Sequence, residues 1–405
     1  MSGPLGRGAH DAAAWRLLVG ALLANTVVVL PMILLGAVAV LVRDELHFGE
    51  VALGVAAAMF ALSATLTSAP GGRLSERVGP SRVMTAGAVL SGAALVAIAL
   101  FASSWAVLVV LLAVAGIGNG LTQPATNGVL SGTINPARQG LAFGAKQAAI
   151  PLAGLLSGIA LPVIGLRVGW RWAFAAGGAL ALIVSALVPR ARALLDDRDD
   201  APPVALDGED AAPFRPLLVI TVGAGLASMS ANAVGAFYVE SSVSAGVAPA
   251  AAGWWLAAGG AAGMAARTLW GWMADRREGG HLVFVAWLMA VGALGLAVLA
   301  VRPAGGVLLL LGTVLAYGAS WGWPGLFNYA IVRQSRAAPS AATGVTQSGL
   351  FAGQLVGPPV FGWLVERGSY ELAWAVFAGL LVFAAVLLRV GRARLLRARL
   401  HARGR

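Results

Sequence analysis

The sequence predicts an all-α membrane protein whose twelve transmembrane helices form two pseudo-symmetric six-helix bundles. Three observations predict it. Hydrophobic residues fill 59% of the 405 positions and charged residues only 11%, where soluble domains carry about a quarter charged. Apolar runs of bilayer-spanning length, about 20 residues each, recur along the whole chain. The second half also repeats the first: Gly118, Pro124, Gly144 and Gln147 return as Gly318, Pro324, Gly344 and Gln347, each 200 positions on.

The spans are expected near residues 15–41, 50–69, 83–101, 105–130, 140–164 and 171–190, then 215–239, 250–270, 282–301, 305–331, 341–364 and 371–389. All should be helical, because lipid offers the backbone no hydrogen-bond partner. They group as a first bundle (1–190), a linker (191–214), a second bundle (215–391) and a basic tail (392–405). The linker is rich in Asp and Pro, a solvated composition that suggests no chemistry. Six spans per copy is an even number, so both copies enter from the same side. They are then related by an axis along the membrane normal, with a site at their interface.

Charge sets the orientation. With the N-terminus inside, the outer loops hold Arg43, Arg167, Arg171, Arg302 and Arg367. Once those five and Lys146 are set aside, 22 of the 28 basic residues fall at or near the cytosolic side, a positive-inside pattern. Both termini are therefore expected in the cytosol, with the chain in the cytoplasmic membrane. Trp105, Trp170, Trp172, Trp254, Trp255, Trp363 and Trp374 fall near the outer ends, as an aromatic belt would. The net charge of +11 is accounted for by these loops and does not call for nucleic acid. Cys is absent, which excludes disulfides and thiolate metal sites. The first apolar run is too long for a signal peptide and reads as an uncleaved span.

The stretch Gly72-Arg73-Leu74-Ser75-Glu76-Arg77-Val78-Gly79-Pro80-Ser81-Arg82 follows the second span. It resembles the signature loop of the major facilitator superfamily, Gly-x-Leu-Ala-Asp-Arg-x-Gly-Arg-Lys. Glu76 stands for the usual Asp, and Pro80-Ser81 replaces the basic pair. After the eighth span the loop returns with Gly271, Asp275 and Arg276. With six-plus-six topology and the mid-chain linker, the resemblance covers essentially the whole chain. It implies that Gly72, Glu76, Arg77, Gly79, Arg82, Gly271, Asp275 and Arg276 form a latch between the halves in the outward-open state. Two other patterns of the family are missing. Residues 111–116 lack the fourth-span Arg of many proton-coupled members, and Pro151, Gly154 and Gly158 match only loosely the fifth-span signature of drug/proton antiporters.

Polar side chains inside spans are costly and need a reason. Asn119, Gln123 and Asn127 are spaced i, i+4, i+8 and share one helix face. They read as a hydrogen-bonding cavity wall, with helix–helix adhesion as the alternative. Lys146 is the chain's single Lys and sits in an apolar run. It either snorkels to the interface or attracts an anionic group of a substrate, because no Asp or Glu lies deep in any span. Gln147 and Gln347 are pseudo-symmetric partners. Gln354, Trp321, Asn328, Tyr329, Asn25 and Asn232 complete the candidate substrate-binding set. Gly154 and Gly158 form a small-residue packing stripe.

No His lies mid-span, and no nucleotide-binding loop, metal cluster or Ser/His/Asp set is visible. An enzyme and a cofactor are therefore not expected. The expectation is a monomeric secondary transporter of a small solute working by alternating access in the lipid bilayer. A small organic or inorganic anion is the first substrate reading, with a coupling proton whose carrier is unidentified. Proton-coupled efflux of drugs or apolar compounds is the second reading. A non-transporting receptor or assembly factor on the same fold is the third.

Overall fold

The computed structural model describes residues 4–133, 139–192, 214–277, 279–302, 306–334 and 339–403, and every regular element among them is a helix. Numbered by span, they are α1 (Pro4–Leu46), α2 (Glu50–Val78), α3 (Pro80–Phe101), α4 (Trp105–Thr133), α5 (residues 139–168), α6 (Trp170–Arg192), α7 (Phe214–Ser244), α8 (Pro249–Arg276), α9 (His281–Val301), α10 (residues 306–334), α11 (Pro339–Arg367) and α12 (Tyr370–Arg403). Most of the acidic linker lies outside the described residues. The basic stretch from residue 392 continues α12 as helix to Arg403.

Ten of these helices are long and apolar enough to cross a membrane. The exceptions are α8 and α11. The first places Arg267, Asp275 and Arg276 among many Gly and Ala residues, and the second carries Ser, Thr, Gln and the Pro358-Pro359 pair. Both are seam helices: α8 packs on α5, and α11 packs on α2 and α7.

The helix pairing within one half recurs in the other. The neighbours α1–α5, α1–α6, α2–α4, α3–α4 and α3–α6 correspond to α7–α11, α7–α12, α8–α10, α9–α10 and α9–α12. This is the two-fold relation that the repeat implies. Across the halves, α1 meets α7, α2 meets α11, and α5 meets α8. A lipid-embedded interface lacks a hydrophobic drive, so backbones must approach closely through small residues. Gly36 lies on Gly235 and Ala236, with no room for a Cβ. A Cβ on Gly54 would stand 2.6 Å from the Pro358 carbonyl carbon, and one on Gly362 would stand 2.7 Å from that of Glu50. Gly158 packs on Gly253 and Ala257, while Gly260 packs on Pro151 and Leu155. The expected small-residue stripe on α5 is therefore a seam between the halves.

Two spans are not continuous α-helix. In α5 regular helix is interrupted by a turn at Ala148, between Gln139–Gln147 and Ala149–Ala160, then widens into a π turn over Leu161–Gly165. In α10 the π turn Ala316–Ser320 and a bend at Trp321-Gly322 separate Gly306–Leu315 from Trp323–Gln334. Pro151 and Pro324 sit just beyond the two breaks, where a missing N–H cannot continue the ladder.

At the end of the bundle opposite the chain termini, Arg43 joins the halves. It pairs with Glu240 of α7 as well as with Glu50 (3.0 Å), and the Val51 N–H donates to Glu366 of α11 (2.7 Å).

The glycine contacts give a direct test. Gly158→Val should collide with the α8 backbone, lowering the thermal unfolding midpoint in detergent by several degrees. Gly379→Ala, with nothing within 4 Å of its Cβ position, should leave the midpoint unchanged or raise it slightly, since Ala in a helix interior is favoured over Gly by about 0.5–1 kcal/mol.

Candidate functional site

Lys146 is 3% exposed and faces α4. Its ammonium donates to Asn127 Oδ1 at 2.6 Å and Gln123 Oε1 at 2.9 Å, with the Gln123 carbonyl at 3.5 Å. The i, i+4 spacing on α4 puts both oxygens on the face that meets α5. Gln123 Nε2 in turn reaches Asn119 Oδ1 at 3.4 Å. Thr126 extends the network towards α1, with its hydroxyl 2.9 Å from the Gln123 carbonyl and 3.5 Å from Asn25 Oδ1. The stripe Asn119–Gln123–Asn127 thus serves as the acceptor wall for Lys146. Among the described residues no carboxylate stands within ion-pair distance of this ammonium. At the repeat-equivalent position, Thr346 is buried and bonds back to the Ala342 carbonyl at 3.2 Å.

A second buried cation was not expected from the sequence. Arg267 of α8, counted above among the basic residues of the cytosolic side, is 3% exposed and lies at the seam between the halves. Its Nε donates to the Trp321 carbonyl and its Nη1 to the Gln147 carbonyl. Both acceptors lie at helix breaks, one in each half. The signal was available: Arg267 precedes Arg276 by nine residues, about 13 Å along a helix at 1.5 Å per residue, too deep for the helix end.

Trp321 faces the same seam. Its indole N–H donates to the Ala231 carbonyl of α7 at 2.6 Å, and its ring meets Tyr317 edge-on with centroids 4.6 Å apart. Gly154 of α5 and Gly235 of α7 leave room for that ring, at 3.4 and 3.1 Å from their Cβ positions. The Gln147 side chain lies against Gly325 of α10.

Other candidates have partners of their own or are described by burial alone. Asn232 donates to the Ser228 carbonyl of its own helix at 2.8 Å. Tyr329 packs edge-on against His281, with Arg333 over its ring. Asn328, Gln347 and Gln354 are half-buried on α10 and α11.

The two signature loops differ. Asp275 Oδ2 accepts the Leu141 N–H at 2.8 Å, in the first turn of α5. It is a carboxylate at a helix N-terminus that links the halves. Arg276 stacks on Trp272 at 3.7 Å, and Gly271 packs against Gly144. In the first loop Glu76 and Arg77 are exposed, Arg82 reaches the Val78 carbonyl at 3.3 Å, and Gly72 packs beside Pro124. Gly79 turns the chain at φ +92°, a conformation that Gly alone adopts without strain.

The expected aromatic belt is only partial. Trp172, Trp254 and Trp363 are exposed, but Trp170 and Trp374 are buried, donating to Glu45 Oε2 (2.6 Å) and Ser241 Oγ (2.7 Å). A cavity of about 510 Å³ opens among α1, α5 and α8. Its lining is almost wholly apolar and includes neither Lys146 nor Arg267.

Comparison with known proteins gives one family. The profile described as Major Facilitator Superfamily matches residues 21–222 and again 217–403. A putative tartrate transporter of Agrobacterium vitis is 26% identical over 388 residues, covering 87% of this chain and 84% of that protein. A probable sulfoacetate transporter of Cupriavidus necator is 31% identical over 142 residues, 35% of this chain and 33% of that protein, so that match spans about a third of the relative's length. Among solved structures, a D-xylose–proton symporter superposes with a TM-score of 0.71 at 18% identity, over 92% of this chain and 97% of that one.

The Lys146 cluster predicts its own energetics. Gln123→Leu should remove one of the two side-chain oxygens that hold the ammonium and lower unfolding stability by about 1–3 kcal/mol. Asn232→Leu, away from the cluster, should cost less. Parallel unfolding curves in one detergent would compare them.

Proposed function

The chain belongs to the major facilitator superfamily and is a multi-pass membrane transporter, not an enzyme; from that premise we propose that it carries a small organic anion by alternating access. The observation that carries this reading is Lys146, a cation buried within a span and held, among the described residues, by the neutral oxygens of Gln123 and Asn127. A charge in a span is costly, and such residues generally mark a substrate or ion pathway. Neutral acceptors solvate the ammonium without cancelling its charge, so an anion remains its better partner. The two transporters named above are described as acting on sulfoacetate and tartrate. Both compounds are small and carry two acidic groups, which agrees with a cationic site.

All twelve helices then cross the cytoplasmic membrane, with the termini in the cytosol, and α8 and α11 cross because their polar and small residues face protein. The binding region lies where α4 and α5 face the α8–α10 seam. Gln123, Asn127 and Asn119 orient Lys146, and Gln147 and Trp321 shape the facing wall. Of the aromatic residues that would favour an apolar drug, Trp323 is fully buried against Phe327, and Trp321 is held edge-on against Tyr317.

Uptake of labelled tartrate and sulfoacetate into proteoliposomes tests the reading. Wild type is expected to take up at least one of them, and Lys146→Ala to lose about ten- to a hundredfold of that flux, the equivalent of one charge-assisted hydrogen bond of about 1.5–3 kcal/mol. Flux of apolar drugs, unchanged in Lys146→Ala, would instead establish the exporter reading.

A further inference from the structure

We infer that Arg267 is a clasp between the two halves that the transported anion itself releases, by drawing the guanidinium away from the Gln147 and Trp321 carbonyls. The inference rests on the reading of the chain as an anion carrier and deepens it.

The clasp begins with Pro151. A proline has no N–H, so the carbonyl four residues earlier, that of Gln147, has no donor within its helix. The ladder resumes on either side: Ala148 N–H reaches the Gly144 carbonyl at 3.0 Å, and Leu152 N–H reaches the Ala148 carbonyl at 2.9 Å. The orphaned Gln147 carbonyl is taken by Arg267 from the other half. The second acceptor, Trp321, lies in the bend of α10 just before helix resumes at Trp323. One guanidinium thus joins the break of α5 to the break of α10.

Two further observations make this a release point rather than a fixed rivet. First, a guanidinium offers a planar fork that matches a carboxylate or sulfonate bidentately, and here it faces two neutral carbonyls. A buried cation so held keeps most of its charge unmatched, so an arriving anion competes well for it. Second, the two buried cations lie on the same cross-half helix pair, Lys146 on α5 and Arg267 on α8. The corresponding places on α2 and α11 hold Ser68, 199 positions before Arg267, and Thr346, 200 after Lys146. The repeat therefore does not require a charge at either site, and both buried cations stand on the α5–α8 pair, Arg267 across the seam and Lys146 turned towards α4. That seam must part when the halves rock. Next to the clasp, Gly144 sits so close to α8 that a Cβ there would stand 2.6 Å from the Arg267 carbonyl oxygen and 3.1 Å from Gly271 Cα. An anion with two acidic groups suits such a seam, one group for Lys146 and one for the freed Arg267.

The test measures the affinity of purified protein for tartrate and sulfoacetate by titration calorimetry, in wild type, Pro151→Ala, Arg267→Gln, Arg267→Lys and Lys146→Ala. Pro151→Ala returns an N–H to the Gln147 carbonyl, weakening the clasp while leaving every charge in place. It should bind about three- to tenfold more tightly, because a larger fraction of the protein is already released. Both Arg267 variants should bind at least about tenfold more weakly, the Lys variant carrying the test if the neutral one does not fold. Affinities unchanged in Pro151→Ala and in the folded Arg267 variants, with only the unfolding midpoint lowered, would overturn the inference and leave Arg267 a static bridge. If Lys146→Ala alone loses binding, the carrier reading stands and the clasp falls. If wild type binds neither anion, the carrier reading fails and takes the clasp with it.

Discussion

Inside a bilayer, a backbone carbonyl that loses its N–H partner has no water to replace it, and the architecture of this protein follows that constraint closely. Hydroxyl side chains mid-helix bond back to their own ladder: Thr122 to Gly118, Thr221 to Leu217, Thr313 to Leu309 and Ser63 to Met59. Elsewhere a side chain from another helix adds a donor to a carbonyl within a continuous helix. Ser228 reaches the Leu350 carbonyl of α11 at 2.8 Å, and the Trp321 indole reaches Ala231 of α7. The helix itself is interrupted in α5 and α10, and Arg267 answers both breaks. A polar group required by backbone chemistry has thereby become a charge placed between the halves.

The two seams between the halves differ in kind. Along α2 and α11 the close approaches cluster at one end, where Gly54 meets Pro358 and Pro359 and Gly362 meets Glu50 and Val51. Farther along, each helix packs in its own half: Gly71 against Gly120 and Leu121 of α4, Gly349 and Gly353 against Thr221 and Gly225 of α7. The α5–α8 seam instead stays closed along its length, from Gly158 on Gly253, through Gly260 on Leu155, to Gly144 on Gly271. It ends with Asp275 at the first turn of α5. Two polar ties, Arg267 and Asp275, fall on the seam with the longer contact, so parting it must break specific hydrogen bonds as well as van der Waals packing, whereas the Val51–Glu366 tie holds the other seam at its end.

Much of this was legible in the sequence, for reasons of periodicity. The spans follow from apolar runs, the two halves from the 200-residue offset, and the α4 acceptor wall from the i, i+4, i+8 spacing of Asn119, Gln123 and Asn127. Lys146 stood out because a single cation in an apolar run needs an explanation. Its partners did not, since contact between α4 and α5 is set by helix packing and not by local pattern. Arg267 was obscured by its neighbourhood. It precedes a charged signature loop, and a chain with so many terminal Arg residues makes one more look ordinary. The Gln147–Pro151 spacing was the better clue, because a proline names the carbonyl it orphans. Tyr329 and Asn232 were candidates by type alone, and their contacts with His281 and Ser228 are set by packing and not by local pattern.

The repeat makes the remaining asymmetry informative. Two copies of one six-helix unit, packed about a two-fold relation, would place any residue demanded by folding in both. Gly118 and Gly318, or Pro124 and Pro324, behave this way. Lys146 and Arg267 do not, for their counterparts are Thr346 and Ser68, small residues whose hydroxyls can bond within their own helices. The mirrored places hold small polar residues, so the repeat by itself does not call for either cation. Both cations lie on the α5–α8 helix pair, Arg267 across it and Lys146 towards α4. A symmetric scaffold with its charge on one side gives an anion a single preferred approach, and attraction of the anion and parting of the seam then act on the same two side chains.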